Sequence, residues 1–396
     1  MTASSPFLPL CEPNIQGNEW AYVKECLDTA WVSSVGRFVD KFEQVAADYV
    51  GAKYAVAVVN GTAAIHAALV TVGVEPGDEV LCSDLTFVAT ANAIRHAGAH
   101  PVLVDAEEQH WQLDISLLEK FAEERCQPSE QGLRNRNTGR IIRAIVPVHV
   151  LGGAVDMSRL NKWASKWNVV VVEDAAEALG ADYRGRRVGT MGTMGCFSFN
   201  GNKVITCGGG GIIVTDDLKL AERAKHLTTT AKVPGEEYVH TEIGFNYRLP
   251  NVLAAIGCAQ MELLDQFVDA KRQTAARYRE ALGSLEGIKL WDAPADVNAT
   301  YWLHTIRVDA QRFGCSARQL MAHLANLNIQ CRPLWQPMHL SPAHQACDSI
   351  LNGVSTRLFD ECLSIPSSVS LTSSQIDRVT AGIVSCAAEA GGRKAA

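Results

Sequence analysis

One lysine, Lys203, stands in the stretch FSFNGNKVITCGGGGIIV (residues 197–214), between apolar runs and shortly before four consecutive glycines. Burial lowers the pKa of a lysine and makes its amine a competent nucleophile, and glycines let the backbone pass close to a bulky ligand. The stretch therefore predicts either an amine that reacts with a bound group or a tight turn with a solvated lysine. Its glycines fit neither a Walker A loop nor a dinucleotide-binding fingerprint.

Two further stretches carry residues that complement a lysine amine. Asp174 ends the run VVVVED, where a carboxylate is costly to bury unless it is paired; it can face a protonated ring nitrogen, or cap a helix over AAEALG (175–180). Asn60, Gly61 and Thr62 follow the first apolar run, and a helix begins at GTAA (61–64). This helix start is either an anion site or an ordinary helix start. An anion site, a carboxylate for a ring cation and an amine together match pyridoxal 5′-phosphate (PLP), which lysine binds as a Schiff base.

Short apolar runs alternate with helical patterns over the first 175 residues, and this order predicts how the three groups meet. We expect buried strands at 54–60, 78–83, 100–106, 144–150 and 169–175, with helices at 62–73, 86–98, 115–125 and 156–167. Apolar strands separated by helices predict a mostly parallel, doubly wound α/β sheet. Ligands bind at the carboxyl ends of the strands in such sheets, and Asn60, His149 and Asp174 fall at such ends.

The pattern changes near residue 265, where long helices are followed by a mixture of short strands and helices. This change predicts a large α/β domain over residues 1–265, with an N-terminal arm, and a smaller α+β domain over residues 266–396. The polar, aperiodic segment 126–139 is expected to be a surface insertion.

The composition excludes several classes of protein. The 396 residues carry a net charge of −7, so no basic face for nucleic acid is expected. No apolar run reaches the length of about 20 residues that a membrane helix needs. The twelve cysteines form no C-x-x-C pair, which argues against structural zinc and against a disulfide framework. Scattered thiols without a signal peptide predict a cytoplasmic protein, and we expect no bound metal.

Several motifs agree in order and spacing with one known family. Nearly the whole chain resembles the DegT/DnrJ/EryC1/StrS family of PLP-dependent nucleotide-sugar aminotransferases. The motifs that carry this resemblance are VEDAAEALGADYRGRRVGTMG, CFSFNGNK, GFNYRLPNVLAAIGCAQMELLD and CRPLWQPMH. The segments TAWVSSVG, FNGNK and RPLWQPMH resemble the branch that aminates C4 of UDP-linked 4-keto-6-deoxy-N-acetylhexosamines, for the bacillosamine and legionaminic acid pathways. The resemblance implies PLP fold type I, as in aspartate aminotransferase, and L-glutamate as the amino donor.

The resemblance also implies roles at the cofactor. Lys203 would form the Schiff base with PLP and then move the proton between substrate and cofactor carbons. Asp174 would keep the pyridine nitrogen protonated, Phe87 would stack on the ring, and Glu177 would lie beside it. The residues implied at the phosphate are Gly61, Thr62, Ala63 and the hydroxyl of Ser198, joined by Asn246 from the neighbouring subunit of a homodimer. The residues implied at the sugar nucleotide are Ser33, Asn202, Arg332 and His339.

Two positions depart from the pattern of many relatives, since Asn200 replaces a histidine and Gly209 replaces a glutamate. We interpret both as markers of the branch. Lys203 is retained where related PLP-dependent sugar dehydratases carry histidine, which favours an aminotransferase. The alternatives are a sugar 3-aminotransferase, a GDP-perosamine-type synthase, a dehydratase, and a regulatory protein that keeps PLP only to stabilise its dimer. Phe87 also fits a plain core position, and Glu177 fits an ordinary acid in a first helical turn.

Overall fold

The computed structural model describes residues 6–394, with side chains up to residue 387. A ten-stranded mixed sheet lies at its centre. The strands of this sheet are β1 (Tyr54–Val58), β2 (Glu79–Ser83), β3 (His100–Val104), β4 (Cys126–Ser129), β5 (Gly132–Asn135), β6 (Ile141–Val146), β7 (Val170–Asp174), β10 (Met194–Ser198), β11 (Gly211–Thr215) and β16 (Asp348–Ile350). Their order is β1-β11-β10-β7-β6-β2-β3-β16, with β5 also joined to β6 and β4 to β5.

The run from β10 to β16 is parallel, whereas β11 is antiparallel to both of its neighbours. This confirms the mostly parallel α/β sheet. The helices are α1 (Glu19–Asp28), α2 (Arg37–Val50), α3 (Gly61–Thr71), α4 (Ala89–His96), α5 (Ile115–Arg125), α6 (Met157–Trp167), α7 (Leu218–Thr228), α8 (Asn251–Met261), α9 (Leu264–Leu282), α10 (Ala310–Phe313), α11 (Ala317–Asn326), α12 (Val354–Glu361) and α13 (Ser373–Lys394). Among the described residues, no helix has the length and apolar character needed to cross a bilayer.

Helices cover both faces of the sheet, which explains why its strands are apolar throughout. In β1, Val56 and Val58 belong to one buried cluster with Ala64 of α3. The residue between them, Ala57, belongs to the opposite cluster with Phe42 of α2. Successive side chains of a strand point to opposite faces, so each strand contributes to both cores.

Two sequence expectations are wrong. The segment expected as a surface insertion contains the hairpin β4–β5, which extends the sheet because the buried Leu133 pairs with Ile142 of β6. The segment AAEALG (175–180) forms turns instead of a helix. Its Ala175 and Ala178 are fully buried, and the N–H of Ala175 donates to the Cys196 carbonyl at 2.9 Å, so the chain is tied to β10 immediately after β7.

The C-terminal part forms a second sheet with its own core. This sheet has the order β12-β14-β17-β15, and its strands are β12 (Ile288–Leu290), β14 (His304–Val308), β15 (Arg332–Pro333) and β17 (Cys362–Ile365). A small third sheet consists of β8 (Asp182–Tyr183), β9 (Arg186–Arg187) and β13 (Val297–Asn298). The strand β16 returns from this C-terminal part to pair with β3 in the central sheet. The division at residue 265 stays a prediction.

One glycine of the four-residue run has a steric reason to be glycine. A Cβ on Gly211 would lie 2.4 Å from the carbonyl oxygen of Asn60, which is backbone and cannot move aside cheaply. A Cβ on Gly209 would meet only the Val59 carbonyl oxygen, at an ordinary 3.7 Å. Gly211 therefore lets β11 pass close to the start of α3.

We expect Gly211→Ala to destabilise the protein by about 1–3 kcal/mol, because the backbone at Asn60 must shift to admit the methyl group. Gly209→Ala is the matched control from the same run and is expected to be nearly neutral. Thermal unfolding of both variants measures the difference. Equal melting temperatures would show that the close approach carries no cost.

Candidate active site

A cavity of about 310 Å³ opens where β7 and β10 end and α3 begins. It brings together eight of the residues expected from the sequence: Gly61, Thr62, Phe87, Asp174, Glu177, Ser198, Asn202 and Lys203. Residues from strand ends and helix starts meet here because β7 and β10 are parallel neighbours and β1, on the far side of β11, runs in the same direction.

Asp174 ends β7 with its carboxylate in the cavity and only 4% of the residue exposed. The carboxylate accepts from the hydroxyl of Thr90 at 2.7 Å and from the N–H of Ala176 at 3.1 Å. Burial raises the pKa of this carboxyl group, and the two hydrogen bonds together with the nearby Lys203 counteract that rise. A buried carboxylate with a free side toward the cavity can pair with a ligand cation.

Glu177 lies on the turn after β7 and is also 4% exposed. Its carboxylate accepts from the N–H of Leu151 at 2.8 Å. Burial raises its pKa to about 7, against the attraction of Lys203. Glu177 is thus a buried carboxyl group close to the Lys203 amine, and the alternative of an ordinary acid in a first helical turn does not hold.

The raised pKa of Glu177 makes stability depend on pH. A carboxyl group with a raised folded-state pKa contributes stability below its unfolded pKa of 4.5 and loses it as the pH rises through about 7. We expect cofactor-free wild type to lose up to about 3 kcal/mol relative to Glu177→Gln over that range. Thermal unfolding at pH 5 and pH 8 measures this loss, and a pH-independent difference between the two proteins would contradict it.

Lys203 lies on the loop between β10 and β11. This loop is a turn between strands, as one of the two interpretations predicted, but the lysine is only partly exposed. Its Nζ lines the cavity, 3.8 Å from the centroid of the Trp302 ring. Burial lowers the pKa of the amine, while Glu177, Asp174 and Cys11 raise it in part. A lysine with a lowered pKa is a better nucleophile at neutral pH.

The start of α3 supplies the donors of an anion site. The first N–H groups of a helix have no partner within the helix. Asn60 caps this one by accepting from the N–H of Ala63 at 2.8 Å, so the backbone donor expected at Ala63 is already engaged. Gly61 and Thr62 line the cavity. A Cβ on Gly61 would lie 2.9 Å from the Ser198 Cβ, so glycine brings the helix start against the serine.

Phe87 is not a core residue, because 56% of it is exposed at the cavity. An exposed aromatic side chain is well suited to stack on a ring that enters from outside. The ring of PLP fits these surroundings: Phe87 can cover its face, Asp174 can hold its nitrogen, and the helix start can hold its phosphate. Lys203 then supplies the amine.

Glu173 and His149 form a separate, structural pair. The imidazole Nε2 lies 3.0 Å from the Glu173 carboxylate, and both side chains are fully buried. The N–H of Val155 donates to the other imidazole nitrogen at 3.2 Å. Glu173 also accepts from the N–H groups of Gly189 and Met191. Both nitrogens of His149 are thus engaged away from the cavity.

Besides Ala63, four expected residues do not line the cavity in this chain, and their roles stay predictions. Ser33 is exposed, with its carbonyl held by the N–H of Asn251 at 2.6 Å. Asn246 is exposed, and Arg332 lines a different hollow. The imidazole of His339 lies 2.7 Å from the Asp84 carboxylate, which raises the pKa of this histidine.

The sequence reasoning missed three residues that build the site. Thr90 holds Asp174, while Trp302 and Trp335 stack as a wall of the cavity with rings 6.2 Å apart and 6° from parallel. Trp335 lies within CRPLWQPMH, a motif noted for resemblance alone. Trp302 lies near the start of the strand-like stretch TYWLHTIRVD (300–309), where nothing in the sequence marked it as a site residue.

Comparisons with known proteins agree with this geometry. The model of the DegT/DnrJ/EryC1/StrS aminotransferase family matches residues 13–384. GDP-perosamine synthase of Caulobacter vibrioides is 38% identical over 386 residues, covering 96% of this chain and 98% of that protein. UDP-4-amino-4-deoxy-L-arabinose–oxoglutarate aminotransferase of Shewanella sediminis is 29% identical, covering 96% and 98%.

Among solved structures, DesV of S. venezuelae in complex with a ketimine intermediate superposes with a TM-score of 0.85 at 30% identity, covering 97% of this chain and 99% of that one. The expected PLP fold type I is confirmed by these neighbours. The relatives do not single out the UDP-N-acetylhexosamine branch that the short motifs predicted.

Proposed function

The chain belongs to the DegT/DnrJ/EryC1/StrS aminotransferase family and is PLP-dependent, and from this we propose that it transfers the amino group of L-glutamate to the 4-keto carbon of a nucleotide-linked 4-keto-6-deoxy sugar. The observation that carries the proposal is the meeting of Lys203, Asp174 and the exposed Phe87 around one cavity. The product is a 4-amino sugar for a surface glycan or glycoconjugate.

PLP supplies an electron sink for the carbon that loses its proton. Lys203 would hold the cofactor covalently, and its free amine would move the proton between the two carbons. Asp174 would keep the ring nitrogen protonated, with Thr90 fixing the carboxylate. Gly61, Thr62 and Ser198 would hold the phosphate, and Phe87 would cover one face of the ring.

Two sugars are candidates for the acceptor. Asn200 lines the cavity beside Asn202, and the resemblance of this FNGNK segment favours UDP-2-acetamido-2,6-dideoxy-hexos-4-ulose. The relatives named GDP-perosamine synthase, from Caulobacter vibrioides and Escherichia coli O157:H7, are each 38% identical and favour a GDP-linked 4-keto-6-deoxyhexose. The oxoglutarate in the name of the Shewanella relative supports glutamate as donor.

A two-step visible spectrum of the purified holoenzyme tests this function. Glutamate is expected to bleach the cofactor band, and the correct keto sugar is expected to restore it. Each sugar is added separately to glutamate-treated enzyme, and the amino product is identified by mass spectrometry and NMR. No bleaching by glutamate would refute the donor, and bleaching without recovery by either sugar would refute the acceptor class.

We propose a homodimer in which Asn246 reaches the neighbouring site. Asn246 is exposed and outside the cavity of its own chain, next to Ile243, which is 89% exposed. Large exposed apolar residues are typical of interfaces. Mixing the inactive variants Lys203→Ala and Asn246→Ala tests the arrangement, because hybrid dimers regain one complete site only when Asn246 acts across the interface.

We propose a cytoplasmic location for the enzyme. The twelve cysteines are scattered along the sequence and form no C-x-x-C pair, and this supports a reducing compartment. Cell fractionation tests the proposal, and recovery of the enzyme outside the cytoplasmic fraction would refute it.

A further inference from the structure

Trp302 is buried and is also held by a contact with a cation and by hydrogen bonds from its ring and its backbone. Its ring is 3% exposed and lies over the Nζ of Lys203, at 3.8 Å to the centroid. The indole N–H donates to the carbonyl of Asn202 at 2.6 Å, next to the lysine in sequence. The backbone N–H of Trp302 donates to the carbonyl of Leu151 at 3.0 Å. The ring is thus tied to the loop that carries Lys203, and the backbone is tied to the segment that follows β6.

The carbonyl of Trp302 accepts from a buried ammonium group. Lys271 of α9 is 1% exposed, and its Nζ donates to the carbonyls of Trp302 at 3.0 Å and Ser367 at 2.5 Å. In the described part of the chain, no carboxylate forms an ion pair with it, and burial lowers its pKa. A buried cation without a counter-charge is costly, and an apolar residue of similar size is often as stable or more stable.

We propose that Trp302 is a positioning residue for Lys203, holding the lysine Nζ against its indole face whenever this amine is not bonded to the cofactor, and that Lys271 fixes Trp302 for this task. The inference rests on the proposed role of Lys203. A cation is attracted to the face of an indole ring, so the contact orients the free ammonium group. The four hydrogen bonds that Trp302 and Lys271 form keep the ring in place.

The contact has a measurable electrostatic consequence. The charged groups that face Lys203 are Glu177 and Asp174, with the thiol of Cys11, and all three favour the ammonium form while burial opposes it. The indole face of Trp302 also favours the ammonium form of Lys203. Replacing Trp302 by leucine keeps an apolar wall and removes the ring, so the ammonium form of Lys203 loses that attraction.

The test measures how fast acetic anhydride modifies Lys203 in the cofactor-free protein between pH 6 and pH 11. Peptide mass spectrometry gives the midpoint of the pH profile, with the exposed Lys162 as internal reference. We expect Trp302→Leu to lower the Lys203 midpoint by about half a unit to one unit. Trp302→Phe is expected to bring the Lys203 midpoint most of the way back to the wild-type value. Trp335→Leu, which alters the other tryptophan of the wall, is the matched control and should leave the midpoint near the wild-type value.

Lys271→Met covers the case in which the leucine variant does not fold. We expect it to fold with an equal or higher melting temperature and to lower the Lys203 midpoint in the same direction as Trp302→Leu. A wild-type midpoint in both Lys271→Met and the tryptophan variants would overturn the proposal.

A separate experiment distinguishes failure of this inference from failure of the proposed function. Borohydride reduction of the wild-type holoenzyme, followed by peptide mapping, is expected to place the cofactor on Lys203. Cofactor on another lysine would refute the function as well. Cofactor on Lys203 together with unchanged midpoints would refute only the positioning role.

Discussion

Replacing Lys203 by arginine is expected to slow glutamate-dependent transamination by about a thousand-fold or more while the protein keeps its fold. Arginine preserves the positive charge near Glu177 and Asp174 and can still lie over an aromatic ring. Its guanidinium group does not lose a proton in proteins, so it cannot act as a nucleophile or carry the proton between two carbons. The variant therefore separates the chemistry of the amine from the charge of the site.

Single-turnover bleaching of the cofactor band by glutamate measures the effect, and circular dichroism reports the fold. Borohydride should no longer attach the cofactor to the chain, although the phosphate site proposed at the start of α3 should still bind it. Lys162→Arg, on the exposed face of α6, is the control and should behave as wild type. A Lys203→Arg variant that kept a tenth of the wild-type rate would remove Lys203 from the mechanism.

The sequence predicts for a physical reason that Lys203, Asp174 and Thr62 lie on one side of a common cavity. Lys203, Asp174 and Thr62 each follow a short apolar strand, and parallel strands bring their carboxyl ends to one edge. Local pattern thus determines both the elements and their meeting point. The same logic fails for AAEALG, whose helical composition is overridden by burial against β10.

The opposite wall of the cavity could not be predicted in this way. Trp302 and Trp335 come from the C-terminal part of the chain, more than a hundred residues from Asp174 in sequence, and tertiary packing alone brings them to the site. The burial of Lys271 could not be predicted either, because a lysine in an amphipathic helix is usually solvated. Here two carbonyls hold it in the core.

Glu173 and Asp174 show a finer limit. Neighbouring residues of a strand point to opposite faces, so only one of these two acids can reach the cavity. The apolar pattern alone places both acids at the end of β7, and the resemblance to the family selects Asp174. The structure directs Asp174 into the cavity and Glu173 toward the backbone of residues 189–192.

This division predicts opposite effects for two neighbouring substitutions. Asp174→Asn is expected to slow the glutamate half-reaction about a hundred-fold or more, because an amide cannot keep the ring nitrogen protonated. The same change removes a carboxyl group whose pKa is raised by burial, so cofactor-free Asp174→Asn should melt at the wild-type temperature or above it. Activity falls while stability does not.

Glu173→Gln should do the reverse. The Glu173 carboxylate accepts from the N–H groups of Gly189, Met191 and Gly192 and contacts His149, whereas a glutamine turns a donor toward one of these donors. A buried unsatisfied group costs about 1–3 kcal/mol, so the melting temperature falls while the half-reaction of the folded enzyme stays near wild type. A loss of rate in Glu173→Gln equal to that in Asp174→Asn would mean that the two acids act as one unit, and the assignment of the ring nitrogen to Asp174 alone would fail.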